Sequence, residues 1–276
     1  GCPLRCQWCA NPEGQSPHPE LMHSRALCKR RHKCLSRCRH NAVSLDPEGY
    51  PVFQRGICQT CEEMACEKAC PEKAVTIAGA YWDAESLYEK ISAAMLFYRN
   101  SGGGVTLSGG EPLAQPEFVE AFLALCEKTG LSVGVETSGM FDWGRVEKFI
   151  GKFEFVYFDM KCLDAGLHQQ FTGCGNGRIL ENLTRLAALD PSRIIVTIPV
   201  IPGVNTSEEM IGRIAEFCKK LNIVKIRLLP YHPFGAVKYG SLGREYLMAR
   251  NLSIGQPELE HYRAIVVERG IACWIE

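Results

Sequence analysis

Cysteines are the residues in this chain best equipped for chemistry, and their spacing narrows what they can do. Fifteen are present, ten of them within the first seventy positions. Cys2, Cys6 and Cys9 form a C-x3-C-x2-C group, Cys28, Cys34 and Cys38 a second, and Cys58, Cys61, Cys66 and Cys70 a third that ends in Pro71. Thiolates two to five residues apart in a reducing compartment share a metal more readily than they build a disulfide framework. Tetrahedral zinc and iron–sulfur clusters are the competing chemistries. Three thiolates with no close fourth ligand, as at Cys2, Cys6 and Cys9, suit a cluster with one open iron, and an open iron can bind a substrate or cofactor. Cys126, Cys162, Cys174, Cys218 and Cys273 lie in apolar or loop stretches and read as buried small hydrophobes.

The second and third groups are halves of an internal repeat. A shift of 32 residues carries Cys34 to Cys66, Cys38 to Cys70, Ala42-Val43 to Ala74-Val75 and Ser44-Leu45 to Thr76-Ile77. Two-cluster bacterial ferredoxins follow this logic: the cysteine before Pro crosses over to ligate the other cluster. Cys58, Cys61 and Cys66 with Cys38 would hold one cluster, and Cys28, Cys34 and Cys70 the other. The second set is one ligand short. Ferredoxin spacing puts the gap at Arg31, where His32 is a neighbouring substitute and an incomplete or absent cluster is the alternative. Zinc remains the competing metal, although zinc knuckles need neither the Cys-Pro ending nor the crossed repeat. Around these thiols, Arg25, Lys29, Arg30, Arg31, Lys33, Arg37 and Arg39 form a basic run with no acidic residue between positions 21 and 45. It reads either as compensation for anionic thiolates or as a docking patch for an acidic electron donor, a flavodoxin or ferredoxin. Stacking aromatics are absent from the run, which argues against nucleic acid.

The rest of the chain must position these groups. At 276 residues and 46% hydrophobic, it can bury one large core plus a small insert. Its 31 basic and 31 acidic residues balance, so no global charge draws it to nucleic acid or an anionic membrane. No apolar run approaches the roughly 18–20 residues of a membrane span, and no leader precedes the first motif, so a cytoplasmic location is expected. The chain opens at Gly1-Cys2-Pro3 without an initiator Met, which reads as a fragment. Residues 22–80 are expected to form the cysteine-rich insert, and 1–21 with 81–276 the main domain. In the latter, helical patterns at 84–99, 116–128, 143–150, 177–189, 207–221 and 257–268 alternate with strands at 105–107, 131–135, 155–160, 194–200, 223–229 and 272–275. Such β-α units predict a parallel sheet, curled or open, with ligands at the strands' carboxyl ends. Six segments should therefore converge: 2–9, 109–112, 136–138, 159–161, 202–203 and 230–232. Gly109-Gly110-Glu111 offers close backbone approach and a carboxylate, suited to an ammonium group, though a plain strand-to-helix turn is the alternative. Glu136, Thr137, Ser138, Asp159, Met160 and Lys161 add carboxylates, hydroxyls and one ammonium at neighbouring ends, a set that fits a zwitterion or a cation.

Cys2, Cys6 and Cys9, with Trp8 before the last cysteine, resemble the signature of the radical S-adenosylmethionine (radical SAM) enzymes. The fuller string Gly1-Cys2-Pro3-Leu4-Arg5-Cys6-Gln7-Trp8-Cys9-Ala10-Asn11-Pro12, followed by the two-cluster insert, is similar to the glycyl-radical enzyme activating enzymes. The likeness is closest to the insert-bearing activases of 4-hydroxyphenylacetate decarboxylase, glycerol or propanediol dehydratase and choline lyase. It covers nearly the whole chain. The resemblance implies a partial (β/α)6 barrel, its first strand missing here, and an anaerobic oxidoreductase. It implies that SAM binds the open iron of a [4Fe-4S] cluster at Cys2, Cys6 and Cys9 and is reductively cleaved. The 5′-deoxyadenosyl radical then removes hydrogen from a glycine of a partner glycyl-radical enzyme. Trp8, Cys9 and Ala10 would lie along the adenine, and Gly109 and Gly110 would meet the SAM ammonium with Glu111 nearby. Asp159, Met160 and Lys161 would bind on the carboxylate and ribose side, and His232 would reach SAM or the glycine loop. Glu136, Thr137 and Asp159 are also candidates for a monovalent cation. Thr197 stands where relatives usually carry an Arg that contacts SAM, so another cation must serve or that contact is absent. Two other readings stay open: a radical SAM enzyme with auxiliary clusters acting on a small molecule or another protein residue, and a non-catalytic iron–sulfur or zinc protein.

Overall fold

The repeat in the cysteine-rich segment is also a repeat of backbone shape. In the computed structural model, which describes residues 1–276, strands β1 (Glu20–His23), β2 (Val43–Leu45), β3 (Pro51–Phe53) and β4 (Val75–Ala78) pair antiparallel, β1 with β4 and β2 with β3. His32 and Met64 both adopt left-handed backbone, φ 56° and 44°, and each opens a short helix, Lys33–Arg37 or Ala65–Lys68, that carries Cys34 or Cys66. Asn41 and Lys73 repeat the left-handed turn at φ 52° and 50°, just before the buried pairs Ala42-Val43 and Ala74-Val75. Leu21, Val43, Phe53 and Val75 close a small core around Cys34, Cys58 and Cys66.

This unit is larger than the expected 22–80: it comprises Trp8–Tyr81 and Pro233–Arg250. Charged groups bind the added pieces. Arg244 forks onto both oxygens of Glu20 at 2.7 Å, Arg55 donates to Ser241 O at 3.0 Å, and Lys238 reaches Glu13 and Asn11. The Cys9 carbonyl lies so close to Gly235 that a Cβ there would fall 2.1 Å from it, so only glycine fits.

The other unit, Gly1–Gln7, Trp82–His232 and Asn251–Glu276, is built on strands β5 (Gly104–Leu107), β6 (Ser132–Thr137), β7 (Val156–Asp159), β8 (Ile194–Val200), β9 (Lys225–Pro230) and β10 (Ala272–Ile275). All neighbours are parallel, and sheet order follows chain order from β5 to β10. Continuous order without a reversal is the winding of a barrel rather than of a doubly wound sheet. No helix is long and apolar enough to cross a membrane.

Side chains alternate across each strand. Val133 and Val135, Val156 and Phe158, Ile194, Val196, Ile198 and Val200, and Ile226 and Leu228 are buried in one apolar cluster with Phe122, Leu183, Ile214 and Val266 from helices Pro116–Thr129, Gly177–Leu189, Glu208–Lys220 and Gln256–Val267. The alternate positions carry Glu136, Tyr157, Asp159, Thr197 and Arg227, so this parallel sheet has one oily face and one chemical face. Cys126, Cys162 and Cys218 belong to the apolar cluster, and burial alone pushes the Cys126 thiol up to about 11, too high to act as a nucleophile at neutral pH.

Two of the expected helices break or shorten by more than a residue at an end. The 84–99 segment breaks into Ala84–Ser92 and Met95–Ser101, but Leu87, Ile91, Met95 and Tyr98 still pack on the core, so burial outlasts helical continuity. The 143–150 helix shrinks to Trp143–Val146, followed by a single tight turn at Ile150–Lys152.

Candidate active site at the strand ends

Parallel strands in register bring their carboxyl ends to one edge, and hydrogen bonds tie that edge together. Glu111, after β5, is 1% exposed and accepts four bonds. Oε1 takes Leu113 N–H at 3.1 Å and Thr137 Oγ1–H at 2.8 Å; Oε2 takes Ser138 N–H at 2.8 Å and Ser138 Oγ–H at 2.5 Å. Burial pushes its carboxyl above the usual value, against the pull of those donors. Both oxygens are saturated, so Glu111, Thr137 and Ser138 clamp β5 to β6. Gly109 beside them has φ +116°, open to glycine but strained for other residues.

The same loop holds the first cysteines. Glu111 N–H donates to Gly1 O at 2.8 Å, while Arg5 N–H and Gln7 N–H donate to Thr172 O and Phe171 O at 2.7 and 3.0 Å. The latter carbonyls end a helix, Ala165–Thr172, that the sequence reading missed because its apolar face is short and contains Gly166. Asp164 at its N-cap, accepting from Leu167 N–H, was the available signal. Cys2 and Cys6 are thus strung between two anchored backbone segments. Cys9, Trp8 and Ala10 belong to the smaller unit.

Lys161, at the end of β7, is 7% exposed with its ammonium 2.7 Å from Asp159 Oδ2. Burial alone would lower its pKa, but Asp159 and the Cys6 and Cys2 sulfurs outweigh this and hold it above the ordinary lysine value. A permanent buried cation beside two thiols fits an anionic metal–thiolate centre, and the residues present therefore suit the cluster expected there. His232 follows β9 at the same edge and is exposed.

Arg227 is the residue whose importance the sequence reading missed. It lies on β9 in register with Thr197 of β8 and donates through Nε to Thr197 Oγ1 at 3.2 Å. Its guanidinium pairs with Glu136 at 2.9 Å and Glu276 at 2.6 Å and sits 3.9 Å over the Tyr157 ring. The other oxygen of Glu136 accepts from Ser108 at 2.8 Å. Glu136 and Asp159, expected as candidates for a monovalent cation, are thus each joined to a cation of the chain itself.

Three buried asparagines were also overlooked, and each amide donates to two backbone carbonyls. Asn182 holds Gly139 O and Phe141 O, Asn176 holds Cys162 O and Leu163 O, and Asn205 holds Lys161 O and Pro199 O. Near them His168, 2% exposed, donates from Nδ1 to Cys174 O at 2.6 Å. Burial, then Lys161, lowers its pKa from 6.5 despite the carbonyl. Below 6.5 the unfolded chain takes up a proton that the folded one refuses, so this contribution is complete above 6.5 and is lost as pH falls from there through the lower folded value. The unfolding free energy from urea titrations should fall on acidification with a slope of up to about 1.4 kcal/mol per pH unit, and His168→Asn should flatten it. An identical slope in the variant would rule His168 out.

In the smaller unit the thiols sort into two groups. Burial first and then Cys28 and Cys70 raise the pKa of Cys34. Burial raises that of Cys58, with Cys38 and Cys61 adding to it, and that of Cys66, up to about 11, with Cys58, Cys38 and Cys61 adding to it. Cys38 therefore stands with the third group and Cys70 with Cys28 and Cys34, the crossed arrangement. No three His, Cys, Asp or Glu side chains close around the position of a single ion. Ala42 N–H donates to Cys38 Sγ at 3.3 Å, a bond of the type that tunes cluster sulfurs. Three of the seven cations of the basic run are ion-paired: Arg25 with Asp46 and Glu48, Arg31 with Glu72, and Arg39 with Glu63. A cleft of about 390 Å³ lined by Val156 and Ile194 opens at the starts of β7 and β8, the edge opposite this chemistry.

A chain-ordered parallel sheet with a cysteine loop anchored to its carboxyl edge defines the radical SAM class, and residues 70–218 match the Radical SAM superfamily. The 4-hydroxyphenylacetate decarboxylase activating enzyme of Clostridioides difficile (strain 630) is 35% identical over all of this chain and 88% of its own length. The isethionate sulfite-lyase activating enzyme of Oleidesulfovibrio alaskensis (strain ATCC BAA-1058 / DSM 17464 / G20) is 39% identical over 89% of this chain and 80% of its own. Among solved structures, a domain of pyruvate-formate lyase-activating enzyme from Bacteroides vulgatus ATCC 8482 aligns with TM-score 0.53 at 30% identity, covering 63% of this chain and 99% of that domain. The chain belongs to the glycyl-radical enzyme activating enzymes of the radical SAM superfamily.

Proposed function

We propose that this chain installs a radical on a glycine of a partner glycyl-radical enzyme, using S-adenosylmethionine and a [4Fe-4S] cluster at Cys2, Cys6 and Cys9. The observation that carries this reading is the Lys161–Asp159 pair buried beside Cys2 and Cys6 on an anchored loop. When bound, the cluster and SAM supply an electron and a 5′-deoxyadenosyl radical able to take a hydrogen atom from a glycine Cα. The chain's own residues do the rest. Gly109 and Gly110 present backbone to the SAM ammonium, and Glu111 keeps that loop in place from beneath rather than touching the ligand. Trp8, Cys9 and Ala10 line the adenine, Asp159, Met160 and Lys161 the carboxylate and ribose side, and His232 the entry of the glycine loop. Arg227 is the cation at the level of Thr197, and we assign Glu136 and Asp159 to Arg227 and Lys161 rather than to a monovalent cation. Arg227→Gln should weaken SAM binding about tenfold, about 1.4 kcal/mol, in equilibrium dialysis with cluster absorbance unchanged. Unaltered affinity would remove Arg227 from the cofactor site.

Within the smaller unit, Cys38, Cys58, Cys61 and Cys66 hold one auxiliary cluster, and Cys28, Cys34 and Cys70 contribute to another. Lys29, Lys33 and Arg37, exposed near Leu27 and Leu35, form the docking face for a flavodoxin or ferredoxin donor. The whole reading is tested by anaerobic reconstitution with iron and sulfide, addition of SAM and dithionite, and assay of 5′-deoxyadenosine. A glycyl-type EPR doublet in a co-incubated glycyl-radical enzyme is expected. SAM cleavage without that doublet in any such partner would move the activity to another substrate.

A further inference from the structure

We infer that His32 is the fourth ligand of the iron–sulfur cluster whose other ligands are Cys28, Cys34 and Cys70. This rests on the two-cluster reading of the smaller unit. The thiols of that unit divide four and three, so one site has a complete cysteine set and the other lacks a donor. His32 lines the same small cavity as Cys28, Cys34 and Cys70. Its Nε2 lies 3.0 Å from Gly49 O, and a carbonyl only accepts, so Nε2 is the donor and Nδ1 is the nitrogen left to offer a lone pair to a metal. A backbone carbonyl that holds the far ring nitrogen in this way is the usual companion of a metal-bound histidine.

The internal repeat supplies an independent argument. His32 and Met64 occupy equivalent left-handed positions, each two residues before the first cysteine of its C-x3-C pair. The half that opens with Met64 already has Cys58, Cys61 and Cys66 close by, whereas the half that lacks a thiol has an imidazole. Arg31, at the place ferredoxin spacing assigns to the missing cysteine, is a cation with no lone pair to offer, and it holds Glu72, the one carboxylate lining the cavity, through Oε1 at 2.5 Å. Ligation forms a dative Nδ1–Fe bond, the proton stays on Nε2 with its hydrogen bond to Gly49 O, and no electron is transferred. A neutral imidazole in place of a thiolate removes one negative charge, so this cluster has a higher reduction potential than its all-cysteine neighbour.

The test uses the full chain with Cys2→Ala, Cys6→Ala and Cys9→Ala to remove the first cluster, grown with ¹⁵N-histidine and reconstituted anaerobically with ferrous iron and sulfide. About eight irons per chain are expected, as two [4Fe-4S] clusters. Pulsed EPR of the reduced protein should show one strongly coupled imidazole ¹⁵N. His32→Ala should lose that coupling and about one iron, with the signal of an oxidised [3Fe-4S] cluster. His32→Cys should restore the iron and lower the potential of that cluster. Eight irons with no imidazole coupling, or a His32→Ala spectrum equal to the parent's, would overturn the inference and leave the two-cluster reading intact. A smaller unit that takes up no iron would overturn both.

Discussion

Replacing Cys6 by alanine is expected to abolish reductive cleavage of S-adenosylmethionine, by at least about 10³-fold or about 4 kcal/mol of barrier. Cys6 is buried, and its neighbours Arg5 and Gln7 are tied through their amides to the end of helix Ala165–Thr172, so no other thiol of that loop can take its place. The loss should be chemical rather than structural. The two thiol groups of the smaller unit are untouched, and iron should fall by about four per chain while the urea midpoint stays near the parent's. Three measurements check this: 5′-deoxyadenosine by chromatography, iron by colorimetry and unfolding by circular dichroism. Retained cleavage with unchanged iron would mean that Cys2, Cys6 and Cys9 are not the ligands, and zinc at these thiols in the parent would contradict the reading from the other side.

The second large effect concerns Glu111, whose two carboxylate oxygens are both occupied by donors of the chain. Glu111→Ala strands two N–H groups and two hydroxyls in a region closed to water, and each unmade bond of this kind costs about 1–3 kcal/mol. We expect a loss of about 3 kcal/mol or more in unfolding free energy, with part of it relieved by rotation of the Thr137 and Ser138 hydroxyls. Glu111→Gln keeps the shape but turns one acceptor into a donor facing donors, so it should lose about 1–3 kcal/mol. SAM affinity should fall in proportion to the disorder of the Gly109 loop. A change in Glu111→Ala within about 0.5 kcal/mol, the range of ordinary surface substitutions, would show that β5 and β6 hold together without this clamp.

Much of the fold was legible because burial writes a period into the sequence. The runs at 194–200 and 272–275 became β8 and β10 without change, and the 177–189 helix kept both of its ends. The grouping of Cys38 with Cys58, Cys61 and Cys66, and of Cys70 with Cys28 and Cys34, was readable from the 32-residue repeat, since cysteine spacing is a local property. Convergence of Glu111 with Thr137 and Ser138 followed from the rule of parallel strand ends, but the role of Glu111 did not, because a saturated clamp and a ligand-facing carboxylate have the same letter. Arg227 was invisible for a related reason. Between Ile226 and Leu228 it reads as a solvent-facing residue of an ordinary strand, and only registry with Thr197 and the charges of Glu136 and Glu276 reveals a buried cation. Helix Ala165–Thr172 and the segment Pro233–Arg250 were missed because hydrogen bonds and ion pairs, which have no periodicity, fix them in place.

Asn182 and Asn176 each grip two carbonyls beyond the ends of β6 and β7, and Asn205 ties a third carbonyl beyond β7 to Pro199 O near the end of β8, which leaves those loops almost no slack. The disorder that a reacting centre would otherwise surrender on meeting a macromolecule has been given up here during folding. Any adjustment to an incoming polypeptide must therefore be made outside this rim, and removing one amide should show first as sloppier chemistry, with SAM consumed unproductively, before it shows as a weaker fold.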